Sequence, residues 1–416
     1  MPDLPYPRLR LSTTPGQYLQ TFTRLLTTRY ATGPNVQSLE AQVAALTGTA
    51  HCIAVPMART GIYLALKSLE SRGEKVILSP YTVSEVVNMV ICAGYTPVFA
   101  DIDEQTCNIS PTAVEKLIDD DTAAVIVTHF YGLMCDMEKL TALCSANNVS
   151  LIEDAAQAFG ASLNGQSAGS FGRAGVFSFN LYKSVNSFLG GCVVTDDANL
   201  AGRIRQNLSE FPVMPHQQFF RAAISGLITD LATFPPIYKL LTYPVLRYGF
   251  LNEIEAINRR IKNDTSPVRR TTMPAHYLTR TSDLQAGLAL NQLDKFRADM
   301  NARLERARLY DAGLSDIDEL LLPPLRTDGS HCYWYYPIQF DRRHDLVSAV
   351  LRDYGDIAKS YHQNCAEMAC FKESHLPCPS AEKTANAVVY LPTFPRYPLS
   401  AVERTVSSLR RYFGRA

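Results

Sequence analysis

The chain has 416 residues, 46% hydrophobic and 19% charged, a composition that excludes disordered and fibrous classes and suits a globular protein of two domains. Forty Lys and Arg balance forty Asp and Glu, so no net field draws the chain towards nucleic acid. The opening Met1-Pro-Asp-Leu-Pro-Tyr-Pro7 lacks the basic and apolar segments of a secretory signal, and a cytoplasmic location is expected.

In chain order, Val36, Leu39, Val43 and Leu46 recur at helical spacing. His51–Pro56 reads as a strand, followed by the turn Met57-Ala-Arg-Thr-Gly61 and a helix over Ile62–Leu69. Lys75–Leu78 and Pro97–Asp101 read as strands on either side of a helix over Ser84–Cys92. Ser110-Pro111 marks the start of a helix expected to run through Ile118. Ala123–Val127, Val149–Ile152, Gly175–Phe179 and Gly191–Thr195 are further strands, with a helix over Met137–Asn147. Strands alternating with helices predict an α/β fold with right-handed crossovers and a mainly parallel central sheet flanked by helices.

From Phe219 to Leu251 the chain is rich in apolar residues but broken by Pro235, Pro236 and Pro244 and interrupted by Asp230, Lys239 and Arg247. No apolar run there approaches the ~20 residues of a membrane span. Two readings stay open: a helical insertion that packs on the main body or a second subunit, and a face for a membrane interface or a lipid-linked substrate. Ser282–Ala312 is expected as one long helix with Gly313 as its stop. After Pro323-Pro324 comes a smaller α/β segment with a strand over Tyr333–Phe340 and helices over Leu346–Tyr354 and Leu399–Phe413. The expected division is a large domain over 1–275, with its apolar insert at about 210–275, and a linking helix plus small C-terminal domain over 276–416. Among ten cysteines no CxxC pair occurs. His362, Cys365, Cys370, His375 and Cys378 share one loop-like stretch, but their spacing matches no familiar metal pattern, and no metal is expected.

Two strands end on complementary groups. Asp154 closes Val149-Ser-Leu-Ile-Glu153, and Lys183 stands five residues beyond Ser178, on the strand that ends at Phe179. Open α/β sheets bind ligands at the carboxyl ends of their strands. A lysine there can form a Schiff base, and a carboxylate there can keep a pyridine nitrogen protonated, so the pair points to pyridoxal 5′-phosphate. Taken singly, a strand-end lysine such as Lys183 is more often a solvated surface residue, and Asp154 can serve as a helix cap as well. Arg59-Thr60 stands where a strand turns into a helix and offers N–H groups to a phosphate, and Ser178 adds a hydroxyl. Gln157 would face the ring's phenolic oxygen. His129 and Tyr131 follow another strand to the same edge, where His129 either lies against the ring or belongs to the core.

Several runs carry a family resemblance: Gly33-Pro-Asn-Val36-x-x-Leu39-Glu40, Thr96-Pro-Val-Phe-Ala-Asp101-Ile-Asp103 with Asn108-Ile109, and His129-x-Tyr131-Gly132. Glu153-Asp-Ala-Ala-Gln157-Ala-Phe-Gly160, Gly169-Ser-Phe-Gly172 and Phe177-Ser-Phe-x-x-x-Lys183 are its most specific parts. Arg280-x-Ser282-Asp-Leu-Gln285-Ala286 and Ala381-Glu-Lys-x-Ala385 through Leu391-Pro-Thr-Phe394-Pro extend it. The chain resembles the DegT/DnrJ/EryC1/StrS family of fold type I, pyridoxal phosphate-dependent sugar aminotransferases. The resemblance implies Lys183 as the Schiff-base lysine, Asp154 at the ring nitrogen and Gln157 at the ring hydroxyl. It places Ser178, Arg59 and Thr60 at the phosphate. It also implies a homodimer that moves an amino group from glutamate to a nucleotide-linked keto-sugar in a ping-pong cycle. The sequence departs from the family pattern at Val83, where an aromatic ring often covers the cofactor, and at Leu278, where a partner-chain Asn usually reaches the phosphate. Two alternatives accompany this reading: a sugar dehydratase, although such enzymes replace the lysine, and a non-catalytic regulator or scaffold.

Overall fold

Strands covered on both faces need unbroken apolar runs, and the runs of the first half assemble in that way. The computed structural model describes residues 5–26, 30–71, 73–258, 267–374 and 376–415; His375 of the Cys/His stretch lies outside them. Seven strands form the main sheet: β1 (His51–Val55), β2 (Lys75–Leu78), β3 (Thr96–Phe99), β4 (Thr122–Thr128), β5 (Ser150–Asp154), β6 (Ala174–Ser178) and β7 (Gly191–Thr195). Their order is β1-β7-β6-β5-β4-β2-β3, and only β7 runs antiparallel to its neighbours. Alternate side chains enter different cores: Ile53, Val76, Ile126 and Val176 face one, Ala54, Ile77, Val125 and Phe177 the other. The helix Ala58–Lys67 lies directly on the sheet, since a Cβ at Gly61 would stand 3.0 Å from both Val176 and Val193.

A smaller antiparallel sheet follows, β8 (Tyr336–Gln339), β9 (Ala358–Lys359) and β10 (Val388–Leu391), in the order β8-β10-β9. The helices Phe296–Leu314, Arg343–Arg352 and Leu399–Tyr412 pack with it around Ile338, Leu346 and Val389. The expected single helix over Ser282–Ala312 is two, Asp283–Leu293 and Phe296–Leu314, parted at Asp294-Lys295. The first opens on a Ser282/Gln285 capping box. Gly313 does not end the second: it lies inside it, where a Cβ would stand 2.4 Å from Val406 Cγ1, so its role is close helix packing. The helix begun at Pro111 stops at Glu115 rather than Ile118, because the chain turns into β4 with the Asp119 N–H on Thr122 Oγ1 at 3.0 Å.

The apolar insert folds as helices His216–Ala232 and Tyr243–Leu251 joined through a π-helical turn at Tyr238–Thr242. Its inner residues Tyr238 and Tyr243 enter the core of the smaller sheet. There the buried Asp356 carboxylate accepts from Tyr238 Oη (2.5 Å), Arg8 N (2.8 Å) and Arg8 Nη1 (3.0 Å), tying the insert and the N-terminal segment to the small unit. Outward, Ile228, Leu231, Leu240, Leu241, Val245 and Tyr248 stay more than half exposed. Among the described residues no helix is long and apolar enough to cross a membrane.

Candidate active site

The ends of β5 and β6 carry the two groups that the sequence singles out. Asp154 is buried, and its Oδ1 accepts the Ala156 N–H at 3.1 Å, so it caps the following turn as well as facing the strand ends. Burial pushes its carboxyl upward, opposed by that N–H and by the nearby Lys183 ammonium. From Ser178 the chain curls back, with the Lys183 N–H on Asn180 O at 3.0 Å, and Lys183 Nζ comes to rest 4.0 Å from the centre of the Trp334 ring. Burial lowers this amine to about 8, with Asp154 opposing. The two side chains sense each other through space without forming an ion pair.

The remaining expected residues surround that edge with different degrees of freedom. Gln157 Oε1 accepts the Tyr131 N–H at 2.8 Å, which leaves its amide N–H groups to donate. Ser178 Oγ accepts from Asn180 N at 3.4 Å and keeps its own proton for an acceptor. Thr60 spends its hydroxyl proton on Tyr277 O (3.0 Å), and Arg59 Nη1 lies on Tyr277 Oη (2.6 Å). What this turn offers an anion is therefore the free backbone N–H groups at the start of Ala58–Lys67. His129 has no free nitrogen. It is fully buried, its Nδ1 accepts the Cys135 N–H (3.2 Å), and its Nε2–H therefore donates to Glu153 Oε2 (3.0 Å). The structure thus assigns it to the core behind Asp154. Val83 stands at the start of the helix Ser84–Cys92, half-buried against the core, and Leu278 closes the short turn Ala275–Tyr277.

Three features escaped sequence reasoning. Trp334 supports Lys183, and its indole N–H donates to Tyr182 O at 3.0 Å; the one tryptophan in an aromatic run before a strand was the available signal. The segment around it pairs with the site loop through Cys332 N to Gly132 O and Trp334 N to Tyr131 O, both 2.9 Å. A cavity of about 210 Å³ opens beside Lys183, lined by Arg10, Lys295, Arg303 and Arg396 against a single carboxylate, Asp299. Arg303 Nε is buried there with no hydrogen-bond partner among the described residues. Such a cavity suits an anionic ligand. Among the described residues, which do not include His375 of the Cys/His stretch, no group of three or more His, Cys, Asp or Glu is placed to hold a metal ion.

An amine, a carboxylate on the neighbouring strand, a free hydroxyl and a helix start fit the ring, nitrogen and phosphate of pyridoxal 5′-phosphate. Fold and donor set together define the class of fold type I, pyridoxal phosphate-dependent aminotransferases. The chain belongs to the DegT/DnrJ/EryC1/StrS aminotransferase family, whose model matches residues 16–232 and 253–410. It is 29% identical over 391 residues to the spore coat polysaccharide biosynthesis protein SpsC of Bacillus subtilis (strain 168), covering 91% of this chain and 89% of that protein. Among solved structures it is similar to DesI, crystallised in the presence of its TDP-sugar product, with TM-score 0.72 and 26% identity over 98% of this chain and 93% of that one. It shares its fold with Helicobacter pylori PseC, an aminotransferase of pseudoaminic acid biosynthesis, at TM-score 0.75 and 20% identity over 99% of both chains.

Proposed function

We propose that the protein transfers an amino group from glutamate to a nucleotide-linked keto-sugar in a ping-pong cycle, as a cytoplasmic homodimer. The observation that carries this is the Lys183 amine, lowered to about 8, beside a buried carboxylate at the adjoining strand end. Bound pyridoxal 5′-phosphate supplies an electron sink that makes the donor's α-proton acidic. Lys183 Nζ, neutral in a useful fraction near pH 8, takes that proton and returns it. Asp154 holds the proton on the ring nitrogen and keeps the sink positive. Ser178 and the first turn of Ala58–Lys67 hold the phosphate, and the Gln157 amide donates to the ring oxygen. The four cations of the neighbouring cavity fit the donor's carboxylates and the sugar's phosphates. Trp334 supports the Lys183 amine, with Nζ 4.0 Å from its ring centre.

The family model leaves 233–252 unmatched, and the exposed apolar residues of that insert support a further part of the reading, contact with a membrane surface. The test of the main proposal is reconstitution with the cofactor, addition of glutamate, then addition of a TDP-linked keto-hexose. Mass spectrometry is expected to find 2-oxoglutarate and the amino-hexose. Asp154→Asn should slow the cycle by about 10²–10³-fold, the usual size for one preorganised electrostatic contact. Full turnover by Lys183→Ala, or no conversion by the unaltered protein, would overturn the proposal.

A further inference from the structure

Four buried polar side chains join the two units beside the site. Tyr81 and Tyr131 belong to the main sheet's edge, while Ser360 and His362 follow β9. Tyr81 Oη and Tyr131 Oη are 2.8 Å apart, and Ser360 Oγ is 3.1 Å from the first and 2.9 Å from the second. Ser360 Oγ also lies 3.2 Å from His362 Nδ1 and accepts the His362 backbone N–H at 3.2 Å. The segment just beyond, Gln363–Asn364, pairs antiparallel with Tyr81–Thr82 and fixes this meeting.

The protons can be counted. Ser360 Oγ has one proton and two acceptor positions, and the His362 backbone N–H takes one of these. If Nδ1 carried a proton, it would take the other. The Tyr81–Tyr131 contact holds only one proton, so the second tyrosine's proton would then be buried with no acceptor. The opposite direction places every proton: one tyrosine donates to the other, the second to Ser360, and Ser360 to Nδ1. His362 is thereby a neutral imidazole with its proton on Nε2. Burial, with Lys183 nearby, pushes this imidazole down to about 3, in keeping with an uncharged ring. Nε2 has no hydrogen-bond partner among the described residues, although the side chain is only 4% exposed. The ring meets Phe130 and Tyr131 edge-on, with centroids at 5.1 and 5.8 Å, against the loop whose Tyr131 N–H holds Gln157.

We propose that His362 Nε2–H is a specificity-determining donor to a neutral oxygen, a hydroxyl or carbonyl, of the sugar bound near Lys183. This rests on the function proposed above, and the tests separate the two. In the cofactor-loaded full chain labelled with 15N-histidine, a long-range 1H–15N spectrum, assigned by the signal lost in His362→Asn, is expected to show Nε2 protonated and Nδ1 bare. Adding TDP-glucose, which carries hydroxyls but no ketone, should shift the Nε2 resonance. His362→Ala should raise KM for the TDP-linked keto-hexose about tenfold, the worth of one hydrogen bond, with the glutamate half-reaction within twofold. His362→Gln, which keeps a donor near the Nε2 position, should restore most of the loss. A protonated Nδ1, an Nε2 signal indifferent to TDP-glucose, or a parallel fall of both half-reactions overturns the inference. Should the unaltered protein leave the keto-hexose unconverted, the proposed function falls, and the two spectral readings still decide the role of His362.

Discussion

Glu153→Gln tests how the Glu153 and Gly169–Gly172 motifs work together. The carboxylate is fully buried and accepts four hydrogen bonds: Phe171 N and Gly172 N, both 2.7 Å, on Oε1, and Gly169 N (2.8 Å) and His129 Nε2 (3.0 Å) on Oε2. Glutamine keeps the shape but turns one oxygen into an NH2 group. Its remaining oxygen can serve the Phe171 and Gly172 pair, and the NH2 then faces two donors. His129 cannot become an acceptor by moving its proton, because Nδ1 already receives the Cys135 N–H at 3.2 Å. Two buried donors lose their partner, at about 1–3 kcal/mol each, so the loss should be roughly 2–6 kcal/mol. With an m-value of ~4 kcal/mol/M for a chain of 416 residues, the urea midpoint should fall by about 0.5–1.5 M. Fluorescence of Trp334, the one tryptophan of the chain, reports the transition. A midpoint within about 0.3 M of the unaltered protein would refute the donor count.

Four more expectations follow from the geometry. Only the neutral amine attacks a carbonyl, and burial disfavours the charged form of Lys183. Capture of pyridoxal 5′-phosphate by the cofactor-free protein should therefore rise with pH through about 8, and stopped-flow rates with a midpoint near the ordinary 10.5 would contradict this. Asp154 raises that amine, so in Asp154→Asn the same midpoint should move lower. Gly175→Ala would place a Cβ 2.1 Å from Gly169 O, backbone against backbone, and should abolish soluble expression; a stable, active variant would disprove that tight approach. Liposome flotation should carry the intact protein, and a triple Leu240→Ser, Leu241→Ser, Tyr248→Ser variant should stay in the aqueous fraction; equal flotation removes the membrane reading.

The seven strands and their mainly parallel sheet were legible because most are apolar runs buried on both faces, and Asp154 and Lys183 stood out because one ends such a run and the other follows one. The motifs were harder to interpret, since several of their polar residues hold backbone. Glu153 clamps Gly169–Gly172. Asp283 accepts Asn35 N at 2.8 Å and Asn35 Nδ2 at 2.7 Å, joining the Arg280–Ala286 motif to the Gly33–Glu40 motif. Asn108 accepts Phe130 N (2.9 Å) and donates to Leu133 O (3.0 Å), shaping the loop after β4. Asp101 accepts Ser380 N (3.0 Å) and Ala381 N (2.9 Å) at the start of a small-unit helix. A motif read by itself does not tell a clamp from a catalytic group, because the partner lies up to 280 residues away. For that reason His129 could be read from sequence either as a ring contact or as part of the core. Trp334 and the Ser360–His362 pair were hidden for a different one: they reach the site from sequence that shows no strand-end signal.

The pairing of Gln363–Asn364 with Tyr81–Thr82, together with the backbone bonds from Cys332 and Trp334 to the loop after β4, has a mechanical consequence. Swinging the two units apart like a clam would break these backbone bonds, one of them at Trp334, which lines the cavity beside Lys183. Entry to the arginine-lined cavity should therefore need side-chain movement rather than separation of the units.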